Sequence, residues 1–207
     1  MMGRILFFFF IFSSGLLFSQ QNNEFRSVME YYDYQRNMLT EAFKREAVKV
    51  ESLEKLDQME LDYEEFMMKL DSIQNVAMVS ALIKVKNRED LDHIRRKDQE
   101  RIDPLSIKTD EIPAQYPGGI DMLRRQVAAI FYFGAVNPRQ SRFSTDVYFI
   151  VEEDGSISTV HADGENFTFN RQAEIAMYML PEKFSPAKLN GQNIRYSFRI
   201  PLTMRLE

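Results

Sequence analysis

Between residues 25 and 102 the chain has no glycine and no proline, and apolar residues return at spacings of three and four. Leu56, Met59, Tyr63, Phe66, Leu70, Ile73 and Ala77 fit about three heptads with apolar a and d positions. Glu, Lys, Leu, Met, Ala and Arg dominate, so the pattern predicts helices over most of this stretch. It leaves three arrangements open: one long rod, a hairpin, or a coiled-coil dimer. Leu82 to Val85 is partly β-branched and is a candidate interruption. From Lys86 to Asp103 charges of both signs crowd together, as in Arg88-Glu89-Asp90 and Arg95-Arg96-Lys97-Asp98. Such a tract can be a partner-binding surface; the plainer reading is a solvated helix face.

The pattern changes at Asp103-Pro104, and Pro113, Pro117, Gly118 and Gly119 follow. Proline stops a helix and biases the residue before it to extended structure. The chain therefore divides into a helical region over 20–103, a linker over 104–112 and a second domain over 113–207. In that domain Ile120 to Phe133 has helical spacing, with Met122, Leu123, Val127, Ala128, Ile130 and Phe131 as its apolar side. Thr145 to Glu152 alternates, with Val147, Phe149 and Val151 on one face and Tyr148 and Ile150 on the other. Asp154-Gly155 supplies a hairpin turn and Ser156 to Ala162 the returning strand. Asn170 to Leu180 reads as a second helix, Asn190-Gly191 as another turn, and Ile194 to Leu206 as a last strand. The order is αββαβ, an α+β domain behind a mostly helical N-terminal region.

Pro201 falls inside the last strand. Proline cannot donate to a ladder, so a strand containing it belongs at a sheet edge. An edge offers unpaired backbone groups that can take up an extended peptide as one more strand. Asn193, Ile194, Arg195, Tyr196, Ser197, Phe198 and Arg199 are the candidate binding edge. The competing reading is an ordinary edge blunted against aggregation by Pro201, Arg195, Arg199 and Arg205.

Composition narrows the chemistry. The 207 residues carry 26 Lys and Arg against 31 Asp and Glu, a net charge of −5, so no basic footprint for nucleic acid exists. Cysteine is absent, which excludes disulfides, thiolate metal sites, cysteine nucleophiles and a lipid-modified N-terminal cysteine. Arg4 followed by the apolar run Ile5–Phe18 reads as an export signal over residues 1–19. That run is shorter than the ~20 residues needed to span a bilayer. An uncleaved membrane anchor is the alternative. His93 and His161 fall in different regions with no second ligand at metal spacing. Glu152-Glu153-Asp154 sits on a hairpin without calcium-loop spacing. Gly118-Gly119 lacks the Lys and Ser/Thr of a phosphate loop, and no serine sits in a nucleophile elbow. Met59, Met67, Met68 and Met78 suit helix packing. No catalytic residue, metal, cofactor or small-molecule substrate is expected.

Several stretches together resemble a known family. They are Tyr-Pro-Gly-Gly at 116–119, Tyr148-Phe-Ile-Val-Glu-Glu-Asp-Gly-Ser-Ile-Ser, Asn170-Arg-Gln-Ala-Glu-Ile-Ala, Phe184-Ser-Pro-Ala-Lys-Leu-Asn-Gly-Gln and Ile200-Pro-Leu-Thr-Met-Arg-Leu. In this order, residues 113–207 resemble the C-terminal domain of the TonB family in the form common in Bacteroidetes. The resemblance implies two helices on a three-stranded antiparallel sheet, a periplasmic location, and a partner in an outer-membrane receptor or other envelope protein. Family members bind an extended receptor segment by strand addition and transmit energy from an inner-membrane motor. Phe184 stands where the family usually has Trp, a core plug beside Pro186. The chain departs from the family in its short N-terminal apolar run and in lacking a Pro-rich spacer. The expected role is a non-enzymatic periplasmic interaction module. The alternatives are a membrane-anchored energy transducer and an envelope scaffold that forms homo-oligomers through the helical region.

Overall fold

The computed structural model describes residues 23–97, 111–135 and 142–205. The export-signal reading of 1–19, the end of the charged tract at 98–103 and linker residues 104–110 lie outside the described residues. Two helices, α1 (Asn23–Ala47) and α2 (Leu53–Lys97), pack side by side as a hairpin. That excludes the single rod. The turn needs neither glycine nor proline. Ser52 starts α2 instead, its Oγ accepting from the Lys55 backbone N–H at 3.4 Å.

Long side chains bridge the hairpin. Arg36 on α1 donates to Asp71 on α2 at 2.7 Å and also bonds Gln74. Thr40 and Tyr63 share a hydroxyl contact at 2.9 Å, with Phe43 stacked on Tyr63 at 4.4 Å. Arg88 reaches Glu24 at 2.6 Å. Leu82 to Val85 does not interrupt α2; Leu82 and Val85 are buried, and packing overrides local β preference. The heptad register also differs from expectation. Phe66 and Ile73, assigned to the seam, are 51% and 57% exposed. The inward stripe runs through Tyr63, Met67, Leu70, Gln74, Met78, Ala81 and Val85. Its period is that of a straight α-helix, so α2 packs against a globular unit rather than along a supercoil seam.

The remaining elements are β1 (Glu111–Ile112), α3 (Gly119–Ile130), a 3-10 turn (Phe133–Ala135), β2 (Arg142–Val151), β3 (Ile157–Asp163), α4 (Phe167–Tyr178), β4 (Ala187–Leu189), β5 (Gln192–Ile194) and β6 (Tyr196–Arg205). The fold is mixed α+β, and its larger sheet is antiparallel in the order β3-β2-β6. Phe143, Val147, Phe149 and Val151 of β2 turn inward with Ile200 and Leu202 of β6, as the alternation predicts. A second sheet, β1-β4-β5, has strands of only two or three residues, too short to leave a period in the sequence. Asn190 and Gly191, at φ 52° and 82°, form the turn between β4 and β5.

One core runs through both halves of the chain. Phe25, Met78, Leu82 and Val85 from the hairpin join Leu123, Val127, Phe169 and Leu180 in a single buried cluster. Phe25 is fully buried and stacks on Tyr178 of α4 at 5.9 Å. The buried Glu174 of α4 pairs with Lys86 of α2 at 2.9 Å. The helical region therefore shares a core with the C-terminal elements.

Leu82→Ala is expected to lower stability by about 2–5 kcal/mol. Helix signal and near-ultraviolet tyrosine signal should melt together. A separate early helical transition would show that the hairpin folds independently.

Candidate functional site

The larger sheet has two edges, and they differ. At β3 a bulge opposite Tyr148–Ile150 turns Thr159 to φ 54°, a conformation unfavourable for a β-branched residue. The Thr159 N–H donates to Glu89 Oε2 of α2 at 3.0 Å. Val160 N–H donates to the Tyr178 hydroxyl at 3.1 Å, and Ala162 N–H to Glu174 Oε1 at 3.0 Å. Side chains from α2 and α4 thus occupy the donors that an added strand would need. The Tyr178 hydroxyl in turn donates to Glu89 Oε2 at 2.6 Å. Burial pushes the Glu89 carboxyl above its ordinary range, although the hydrogen bonds from Tyr178 and Thr159 oppose that shift.

At β6 the pairing with β2 is unbroken from Tyr196↔Val151 to Arg205↔Arg142. Pro201 lies opposite Asp146. Proline has no N–H, so this is a non-hydrogen-bonded pair. By alternation Ser197, Arg199 and Thr203 direct their N–H and C=O groups away from β2, toward the open edge. Tyr196, Phe198 and Ile200 turn theirs inward to β2. The β3 side agrees, since Ala162 spends its N–H on Glu174 and therefore not on Val147, its partner in β2.

The structure divides the predicted edge. Tyr196, Ser197, Phe198 and Arg199 lie on β6. Asn193 and Ile194 lie on β5, paired with Lys188 and Ala187, and Arg195 stands between the two strands. The expected single strand from Ile194 to Leu206 is therefore broken at Arg195, because the Asn190-Gly191 turn commits residues 192–194 to β4. Arg195 is fixed by two bonds to Glu152, at 2.7 and 3.1 Å. Glu152, just past β2, also accepts from Ser158 on β3, so one carboxylate links β3 to the residue that leads into β6. Asn193 donates to the Glu153 carbonyl at 2.9 Å. Arg199 pairs with Asp146 at 2.8 Å and lies over the Tyr148 ring.

On its inner side β6 meets an aromatic cluster. Phe198 packs on Phe149 at 5.2 Å and on Phe184 at 5.8 Å, with Tyr116 edge-on to Phe184 at 4.9 Å. Phe184 is buried, as a core plug must be. A shallow groove of about 360 Å³ opens beside Phe198, floored by Tyr116, Gly118, Ile120 and Phe184. Neither this groove nor the Glu89–Thr159 bond was legible in the sequence, since each joins residues far apart in the chain.

The turn between β2 and β3 is locked. Gly155 sits at φ 81°, and a Cβ there would lie 2.0 Å from the Phe184 carbonyl oxygen. Burial disfavours charge on Asp154, but bonds from Lys183 and Ser156 outweigh it and hold the carboxyl at about 2. A cleft of about 630 Å³ near this turn is lined by Glu89, Asp92, Glu152, Glu153 and Asp154. Among the described residues no group of three His or carboxylate side chains is placed to hold a metal ion. No helix among them is long and apolar enough to cross a membrane. No family model, curated protein or solved structure matches this chain.

Glu89→Ala leaves the Thr159 N–H and Tyr178 hydroxyl without their acceptor and is expected to cost about 1–3 kcal/mol. Glu89→Gln keeps an acceptor and should cost less. Equal losses in chemical denaturation would rule out the hydrogen-bonding role. For Asp154 the folded carboxyl titrates below its ordinary 3.8. Its contribution to stability is full above that value and fades as pH falls toward about 2. Wild type should therefore melt above Asp154→Asn at about pH 6, the gap narrowing toward about pH 2. A gap independent of pH would refute this.

Proposed function

We propose that the chain is a periplasmic interaction module, not an enzyme, that takes up an extended segment of an outer-membrane receptor or other envelope protein along Tyr196–Arg199. The reading follows the resemblance of residues 113–207 to TonB C-terminal domains. The observation that carries it is the asymmetry of the sheet. The donors along β3 are spent on Glu89, Tyr178 and Glu174. The donors at Ser197 and Arg199 face away from the sheet. Pro201 removes the donor that would come next and so confines an added strand to the residues before it. Main-chain bonds would supply affinity, and the groove beside Phe198 would accept alternate side chains of the partner.

Arg199→Pro removes one outward N–H and no bond to β2. With Arg199→Ala as the control for the lost ion pair with Asp146, it separates the edge from the charge. The probes are peptides tiling the N-terminal segments of outer-membrane receptors from the same envelope. Binding should protect the Ser197 and Arg199 amides from hydrogen exchange. Arg199→Pro should weaken it at least about tenfold, a cost of ~1.4 kcal/mol, while Arg199→Ala changes it little. Binding that survives Arg199→Pro, or peptides that protect only other amides, would refute the proposal.

A further inference from the structure

β5 and β6 are successive parts of one extended stretch of chain, and each lies at the edge of its own sheet. Asn190 and Gly191, both at positive φ, make a two-residue turn that pairs Leu189 with Gln192. In such a turn the N–H of Gln192 points back to the Leu189 carbonyl. Gln192 and, by alternation, Ile194 therefore direct their main-chain groups to β4, while Asn193 directs its own outward. Tyr196 and Phe198 direct theirs to β2 in the same parity. Exposure alternates without a slip across Arg195. Asn193, Arg195, Ser197 and Arg199 are exposed, whereas Ile194, Tyr196 and Phe198 are half-buried. β4 thus follows β2 along one side of this stretch, and the contacts at the junction agree. The Phe184 N–H donates to the Gly155 carbonyl at 2.9 Å, Asn193 Nδ2 donates to the Glu153 carbonyl at 2.9 Å, and the Arg195 guanidinium forks onto Glu152. These bonds hold the end of β2 against the residues that lead into β4.

The opposite side of the stretch stays open across the junction. We propose, building on the strand-addition reading of β6, that Asn193 to Arg199 form a single docking edge that crosses both sheets, and that its partner is an extended segment of about seven residues with apolar side chains at alternate positions. The outward groups of Asn193 add to those of Ser197 and Arg199, and among the described residues no strand pairs with these three on that side. At ~3.3 Å per residue the edge is about 23 Å long, nearly twice the length of Tyr196–Arg199 alone. The partner's chemistry follows from the face that its side chains meet. A residue added opposite Ile194, Tyr196 or Phe198 puts its side chain on the same face as those three, which pack against the core. Tyr196 and Phe198 stand edge to face at 6.1 Å, and the groove floored by Tyr116 and Phe184 opens beside Phe198. That face favours apolar side chains. The partner residues between them stand on the solvent side, beside Asn193, Ser197 and Arg199, and are polar.

The full chain is titrated with peptides tiling the N-terminal segments of outer-membrane receptors from the same envelope, and the tightest binder serves as the probe. In wild type its binding should slow exchange of the Asn193 amide at least about tenfold, together with those of Ser197 and Arg199. Asn193→Pro removes the outward N–H and no bond to β4, and it should weaken binding at least about tenfold. Asn193→Ala keeps that N–H, loses only the side-chain bond to Glu153 and should bind as wild type does. Replacing each peptide residue in turn by aspartate should reveal three sensitive positions, each two residues from the next. Protection of Ser197 and Arg199 without Asn193, undiminished binding by Asn193→Pro, or a single sensitive position opposite Phe198 overturns the two-sheet edge and leaves docking on β6 alone. The absence of binding by every peptide overturns both this edge and the strand-addition reading beneath it.

Discussion

The stretch of α2 from Met78 to Val85 holds the molecule together. Its inward side chains Met78, Ala81, Leu82 and Val85 are almost fully buried, and they meet the hairpin on one side and α4 on the other. Full burial of a residue of this size contributes about 1.5–3 kcal/mol, and Phe25 adds a stacked contact on Tyr178. The polar links nearby act differently. Lys86–Glu174 removes a carboxylate from water, a cost that its Coulomb attraction roughly offsets. Apolar burial therefore supplies the stability of this junction, and the ion pair and hydrogen bonds fix the angle and register at which α2 lies on the domain.

That register decides how the sheet meets solvent. With Leu82 and Val85 seated, Glu89 comes one turn further along, beside the Thr159 bulge. Two consequences share a cause. A strained backbone at φ 54° is held because its N–H has a strong acceptor. The β3 edge is also closed by side chains of its own fold. The opposite edge has no such cover among the described residues and carries only a proline and arginines as protection. A helical region that looks like a spacer in the sequence thus determines which edge of the sheet is left open.

The same helix is apolar on its outer face as well, and this separates it from a surface helix with one buried stripe. The inner stripe is satisfied by the chain itself. The outer one leaves Phe66, Ile73, Val76 and Ile83 more than half exposed. Two surfaces on different elements, a backbone edge on β6 and a side-chain face on α2, rest on different physics. One depends on unpaired donors and acceptors, the other on exposed apolar area.

The sequence by itself determined the elements whose periods are long enough to read. The glycine- and proline-free run required helices. Alternation in Thr145–Glu152 set the two faces of β2, and Pro201 placed β6 at an edge, because these follow from local backbone rules. The turn at 48–52 was missed because serine capping is a weaker signal than glycine or proline. The heptad register differs because Phe66 and Ile73, apolar in the sequence, lie on the exposed side of α2. The break at Arg195 was hidden because strands of three residues leave no period. Only the tertiary structure could decide that Glu89 meets Thr159, that Phe184 and Phe198 frame one groove, and that Leu82 lies in the same core as the sheet. Those contacts join residues far apart in the chain, and nothing in a local window encodes which distant group completes a donor or fills a gap.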